Sequence, residues 1–204
     1  MSGDPVGRRL RRGDEVLGGW LAVPSDVSAE AMARVGFDYV CVDLQHGAIS
    51  MSDARSMIGA LLLGGTSPIV RVPSNDAADI GRALDAGAHA VIVPMVDSAA
   101  EAAAAVSAAR YATEGGRRSW GPGLAGPRVD GYLTWATEHV SVIPMIETRT
   151  AVDAVEEIVA VDGVHAIYVG PADLSLTLGL APTDNDGHAS FDDAVSLVAD
   201  ACRS

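Results

Sequence analysis

Short apolar runs alternate with longer amphipathic stretches along the chain. Residues 17–23, 39–43, 68–72, 90–94, 140–146 and 166–169 are rich in valine, isoleucine and other apolar side chains and read as strands. Between them, residues 28–35, 52–63, 77–86, 98–112, 149–159 and 191–202 carry apolar positions at helical spacing. The strand runs are apolar at consecutive positions rather than alternate ones, the pattern of parallel strands covered on both faces. Strand and helix in strict alternation define βα units. Gly36, Gly64 and Gly87 stand just beyond helical stretches, where a left-handed residue ends a helix.

A weak internal repeat supports the same architecture. Gly36-Phe-Asp-Tyr-Val-Cys-Val-Asp43, Gly87-Ala-His-Ala-Val-Ile-Val-Pro94 and Gly163-Val-His-Ala-Ile-Tyr-Val-Gly170 each place a glycine and two spacers before an apolar strand. No Gly-x-Gly-x-x-Gly follows the first strand, so no NAD site is expected and a (β/α)8 TIM-type barrel is favoured over a dinucleotide-binding sheet. No low-complexity linker divides the chain, and residues 1–204 read as one domain. Six βα units are visible, whereas a closed barrel has eight strands and about 250 residues. Either the C-terminal two units are absent from this chain, or the architecture is not a closed barrel.

Composition removes several chemistries. All 14 basic residues are arginine, so there is no amine for a Schiff base and no lysine to carry pyridoxal phosphate. The net charge of −13 offers no footprint for nucleic acid or an anionic membrane. Cys41 and Cys202 form no CxxC or metal-type spacing and read as reduced thiols of a cytoplasmic protein. The basic residues near the start are followed by Gly13-Asp14-Glu15 where a secretory signal would need an apolar core, and no run is long enough to span a membrane.

In a parallel barrel the chemistry gathers at the carboxyl ends of the strands. The residues there are Asp43 with His46, then Arg71, Glu147 and Asp173, while His89 and His165 precede their strands and fall on the opposite face. Asp43 either caps a polar turn or orients the His46 imidazole as a general base. Arg71 is a surface cap or an anion clamp. Glu147 and Asp173 repel each other unless a cation bridges them, and two oxygen ligands with water and a chelating substrate suit Mg²⁺ or Mn²⁺. The alternative pairs Glu147 with Arg149 and leaves Asp173 to cap the next helix. Asp85 ends a helix, where an acid opposes the dipole and needs a partner, such as a group of the active site. His139 and His188 read as loop residues, and residues 113–131, with six glycines, form either an active-site cover or a surface loop.

Six motifs together resemble the metal-dependent class II pyruvate aldolases of the hydroxyheptanedioate aldolase and citrate-lyase-β superfamily. They are Phe37-Asp-Tyr-Val-Cys-Val-Asp-Leu-Gln-His46, Val70-Arg-Val-Pro73, Ala83-Leu-Asp-Ala-Gly87, Val93-Pro-Met-Val96, Met145-Ile-Glu-Thr-Arg149 and Val169-Gly-Pro-Ala-Asp-Leu-Ser175. The resemblance covers about residues 16–180 and implies a barrel of the phosphoenolpyruvate/pyruvate type. It implies Glu147 and Asp173 as ligands of Mg²⁺, Mn²⁺ or Co²⁺, and His46 as the acid/base. It implies Asp43 and Asp85 as the acids that position His46, and Arg71 as the residue that steadies the oxo acid. The backbone of Gly170, Pro171, Ala172 and Asp173 is implied as the seat of the pyruvyl carboxylate. The implied partners are a small 2-oxo acid and an aldehyde, in a homo-oligomer where the C-terminal elements are present. A 2-oxo acid decarboxylase or CoA-thioester lyase on the same scaffold, or a truncated inactive paralogue, are the alternatives. Gln45 departs from the glutamate common in relatives, and the loop after Ser119 lacks an arginine found in some of them, so the aldehyde does not carry over.

Overall fold

The central strands of the sheet bury both of their faces, and that decides how the sheet is dressed. In a computed structural model, which describes residues 4–183, 185 and 187–203, six parallel strands lie in the order β1-β2-β3-β4-β5-β6. They are β1 (Gly18–Leu21), β2 (Tyr39–Asp43), β3 (Ser67–Arg71), β4 (Ala90–Val93), β5 (Ser141–Ile146) and β6 (Tyr168–Val169). The helices are α1 (Val6–Arg11), α2 (Asp26–Ala33), α3 (Met51–Leu63), α4 (Ala77–Ala86), α5 (Ala99–Ala109), α6 (Tyr132–His139), α7 (Arg149–Asp153), α8 (Val155–Val159), α9 (Pro171–Thr177) and α10 (Ala189–Ala201).

The two-residue period of the strands sorts their side chains into two cores. Val40, Val42, Val70, Val91, Val93, Val142 and Ile146 face outward into the layer formed with the helices. Cys41, Ile69, Ala90, Ile92, Ile143 and Met145 face inward, where Val6 of α1 joins them. The inward face is concave: Trp20 on β1 and Tyr168 on β6 meet with ring centroids 5.5 Å apart, although their strands are the two edges of the sheet. The result is a curled half-barrel of the TIM type, with α1 against the amino ends of the strands through the Val6 amide, which donates to Ser67 Oγ at 3.1 Å.

Several local expectations need correcting. Gly36 and Gly87 adopt positive φ (96° and 111°), but Gly64 stays right-handed at −77° and its neighbour Gly65 takes the left-handed turn at 83°. The helix expected over residues 149–159 is broken at Ala154 (φ −102°, ψ 7°) into α7 and α8. His139 ends α6 instead of lying in a loop, stacked edge-on against Trp135 at 5.2 Å. Among the described residues, no helix is long and apolar enough to cross a membrane.

His89 lies where expected, before β4 at the amino end of the strands. It is 5% exposed, paired to Ser67 Oγ at 3.1 Å and packed on Trp135. Burial pushes its imidazole down to about 4, with His139 adding to the effect. A histidine kept neutral in the fold and free to charge when unfolded gives stability that is complete above the unfolded value, near 6.5, and is lost as pH falls toward 4. That loss is about 3 kcal/mol for one fully buried ring. Urea titrations at pH 7, 5 and 4 are expected to show this decline and His89→Gln to flatten it; an unchanged slope in the variant assigns the decline elsewhere.

Candidate active site

On β2, β3 and β5 the inward stripe is apolar in the middle of the strand and turns charged at the carboxyl end. Two residues beyond inward Cys41 comes Asp43, two beyond Ile69 comes Arg71, and two beyond Met145 comes Glu147. Strand register places Asp43 directly beside Arg71, and β6 leads through Gly170 into α9, whose third residue is Asp173. The same pleat that fills the barrel with apolar atoms thus delivers three charged groups to its mouth, and α9 adds the fourth.

Asp43 and Arg71 form a bidentate ion pair. Nε donates to Oδ1 at 2.8 Å and Nη2 to Oδ2 at 2.5 Å, with both side chains largely buried. Trp20 Nε1 also donates to Asp43 Oδ2 at 3.3 Å, and the Arg71 guanidinium lies over the Trp20 ring at 5.0 Å. The backbone amides of Gln45 and His46 donate to Asp43 Oδ1 at 3.0 and 3.3 Å. Asp43 therefore fixes the turn that carries His46 through the main chain, where an orienting contact to the imidazole was expected. Burial alone would push the Asp43 carboxyl up, but Arg71, the His46 amide and Trp20 together hold it below its usual range. Among the described residues no hydrogen bond engages Arg71 Nη1, and this leaves a donor for an anionic guest.

Glu147 is 1% exposed. Its Oε1 accepts the Met95 amide at 2.7 Å, while Oε2 is buried with no hydrogen-bond partner. Burial pushes this carboxyl up; Asp173 adds to the rise, while the Met95 amide, Arg71 and His46 oppose it, so all these groups share one field. The alternative pairing fails, because Arg149 Nε instead binds Asp153 at 3.0 Å. Asp173 does not cap α9 either, since Gly170 is the cap residue and Asp173 lies within the first turn. An orphaned buried oxygen in the field of a second carboxylate fits a hard divalent cation, which Glu147 and Asp173 would hold. Among the described residues no cluster of three or more His, Cys, Asp or Glu could supply a fuller set.

Two supports of Glu147 escaped the sequence reading. Met95 has φ of +55°, a costly conformation for a side chain with a Cβ, and this turn aims its amide at Glu147. The sequence signal was no more than Pro94 and the motif Val93-Pro-Met-Val96, neither of which marks a left-handed residue. Gly170 was expected to offer its backbone to substrate; it also leaves room for Glu147, because a Cβ there would sit 2.5 Å from Oε2 and 2.7 Å from Cβ of Glu147. Gly170→Ala is expected to destabilise the protein by about 1–3 kcal/mol through this overlap, read as a lower thermal midpoint. A midpoint equal to wild type would show that the turn yields without strain.

Asp85 is not part of this cluster. It lies at the carboxyl end of α4, the end near the strand starts, where Arg118 Nη2 donates to it at 2.7 Å. Arg118 is buried between the rings of Tyr111 and Tyr132, at 4.6 and 5.7 Å, and this pairing explains an acid placed against the helix dipole. Residues 113–131 run between α5 and α6 at that same end, so within this chain they do not cover the Glu147 site.

A parallel half-barrel whose mouth holds an arginine–aspartate pair, the buried Glu147 and the half-buried Asp173 has the architecture of an α/β-barrel enzyme. The chain belongs to the HpcH/HpaI aldolase/citrate lyase family, whose profile matches residues 17–204. It is 42% identical over 187 residues to a hydroxypyruvate/pyruvate aldolase of Rhizorhabdus wittichii, covering 91% of this chain and 74% of that protein. It is 40% identical to a 2-dehydro-3,6-dideoxy-6-sulfogluconate aldolase of Pseudomonas putida, over 94% of this chain and 74% of the other. Among solved structures, a family member from Burkholderia cenocepacia superposes with a TM-score of 0.87 at 34% identity, covering 97% of this chain and 80% of that one. These relatives are aldolases by name, so the scaffold is that of a carbon–carbon lyase.

Proposed function

We propose that the chain is a divalent-cation-dependent aldolase that cleaves or forms a 4-hydroxy-2-oxo acid, giving pyruvate and an aldehyde. The observation that carries this reading is the buried, unpartnered Oε2 of Glu147 beside Asp173 and within the field of Arg71 and His46. Glu147 and Asp173 would hold the cation, which when bound supplies a Lewis acid that stabilises negative charge on the 2-oxo oxygen.

The chain's own residues account for the rest. Asp43 takes Nε and Nη2 of Arg71, leaving Nη1 to donate to the same developing oxyanion. The first-turn amides of α9, Ala172 and Asp173, have no intrahelical acceptor and form the seat for the substrate carboxylate together with Gly170 and Pro171. The His46 imidazole, exposed at the mouth, takes the proton of the 4-hydroxyl directly or through one water. The oxygen's electron pair becomes the aldehyde carbonyl, the C3–C4 bond breaks, and its electrons pass into the enolate of pyruvate, which is protonated at C3.

Exchange of pyruvate methyl protons with D₂O, followed by NMR, isolates the enolate step. Exchange is expected with Mg²⁺ and not with chelator. In the aldol cleavage assay, His46→Ala is expected to slow turnover by about 10²–10⁴-fold, the usual scale of lost proton transfer. Folded wild type that shows no Mg²⁺-dependent exchange overturns the proposal.

A further inference from the structure

The opposite end of the half-barrel holds a second concavity that the aldolase reading does not use. A pocket of about 380 Å³ opens between α1, α5, α6 and the turn into β6, with Arg8, Arg11, Arg110, Tyr111 and His165 in its wall. Arg110 Nη1 is held by Asp162 at 2.7 Å, and Arg8 reaches Asp4 only at 3.5 Å with its side chain well exposed. Arg11 has no carboxylate partner among the described residues. Its Nη1 donates to the Val140 carbonyl at 3.3 Å and meets His165 Nε2 at 3.4 Å, and its Nη2 is buried without any partner.

The hydrogen-bonding roles follow from chemistry. A guanidinium only donates, so Nε2 of His165 accepts, and the proton of the neutral ring lies on Nδ1. That Nδ1 is also buried and unpartnered, as is the hydroxyl of Tyr111. The acids in the same wall make no hydrogen bond to these donors: Glu114 accepts the Thr137 hydroxyl, and Glu138, 3.8 Å from His139, favours the Arg11 charge through its field but is outweighed by burial, Arg110 and Arg8. Buried donors without acceptors are unfavourable, and an uncompensated guanidinium among them more so. An anionic guest offsets the cost of the Arg11 charge, while its oxygens meet the arginine donors that line the pocket.

We propose that this pocket binds a small dianion, a dicarboxylate or a phosphate, seated on Arg11 with Arg8 and Arg110 beside it. The charge matches, because Arg11 is unpaired and Arg8 is only loosely engaged, and planar forks suit carboxylate and phosphate oxygens alike. The site is separate from the Glu147 end and stands whether or not the aldolase reading holds.

Titration of the full chain with malonate, and separately with inorganic phosphate, tests it at an ionic strength held constant with sodium chloride and with chelator present. The local reporter is the His165 imidazole resonance, assigned by its loss in His165→Gln. A saturable shift is expected with at least one anion, and the tighter titration identifies carboxylate or phosphate as the recognised group. Arg11→Gln is expected to weaken binding by about 10-fold or more. Arg110→Gln, which leaves Arg11 in place, is expected to weaken it by a smaller factor. No shift with either anion, a shift that sodium chloride reproduces, or equal affinity in both variants overturns the proposal.

Discussion

Glu147→Gln is expected to raise the thermal midpoint of the cation-free protein while lowering aldol turnover by about 10³-fold. The two effects have opposite signs because the carboxylate is a structural burden that the chemistry needs. In the fold it is 1% exposed, with Oε2 unpaired and Asp173 raising its carboxyl further. A buried polar atom left without a partner costs about 1–3 kcal/mol, and at this chain length each kcal/mol is about 2–4 °C of midpoint. Glutamine keeps the carbonyl oxygen that receives the Met95 amide and leaves an NH₂ where Oε2 had no partner. The gain therefore comes from removing the buried charge, which costs more than a neutral polar atom. Turnover falls because several kcal/mol of transition-state charge stabilisation leaves with the cation ligand. Added Mg²⁺ is expected to raise the midpoint of wild type and not that of the variant. Retention of pyruvate exchange within a few-fold of wild type would remove Glu147 from the cation site.

The fold was legible where burial is extreme. Strands covered on both faces carry uninterrupted apolar runs, so β2 to β5 stand close to where the residues place them, whereas β6, at the edge of the sheet, shrinks to Tyr168–Val169. The first helix was missed because three of its six residues are arginine and only Val6 and Leu10 turn apolar faces to the barrel. The break at Ala154 has no glycine or proline to mark it. In the site, residue types at strand ends were enough to bring Asp43, Arg71, Glu147 and Asp173 together, since barrel topology converts sequence position into place. What topology does not encode is which way each group points. Whether Asp43 meets the imidazole or the amide of His46, and whether Met95 turns left-handed, depends on side-chain and turn geometry. Asp85 is the instructive case: its unfavourable position on the helix correctly signalled a partner, and within this chain that partner is the buried Arg118 of the following loop.

Asp43→Ala is expected to be the most destabilising single change at the mouth of the barrel. The aspartate answers five donors: two from Arg71, one from Trp20 and the amides of Gln45 and His46. Removing it strands a guanidinium whose side chain is 13% exposed, and breaking a buried ion pair from one side costs about 3–5 kcal/mol. The midpoint should therefore fall on the order of 10 °C. Asp43→Asn separates charge from shape. Its carbonyl oxygen serves Arg71 Nε and the two amides, but its NH₂ group then faces the donors Arg71 Nη2 and Trp20 Nε1, so part of the loss remains. The decisive measurement is the double-mutant cycle with Arg71→Met. If the pair is held chiefly by mutual need, the double variant is more stable than Asp43→Ala alone, because no buried charge is left without its counterpart. Strict additivity would mean that Asp43 stabilises the mouth through the Gln45–His46 turn, and that Arg71 relies on Trp20 and solvent. In either case pyruvate exchange should fall with Arg71→Met, since the free Nη1 of the clamp is lost with the guanidinium.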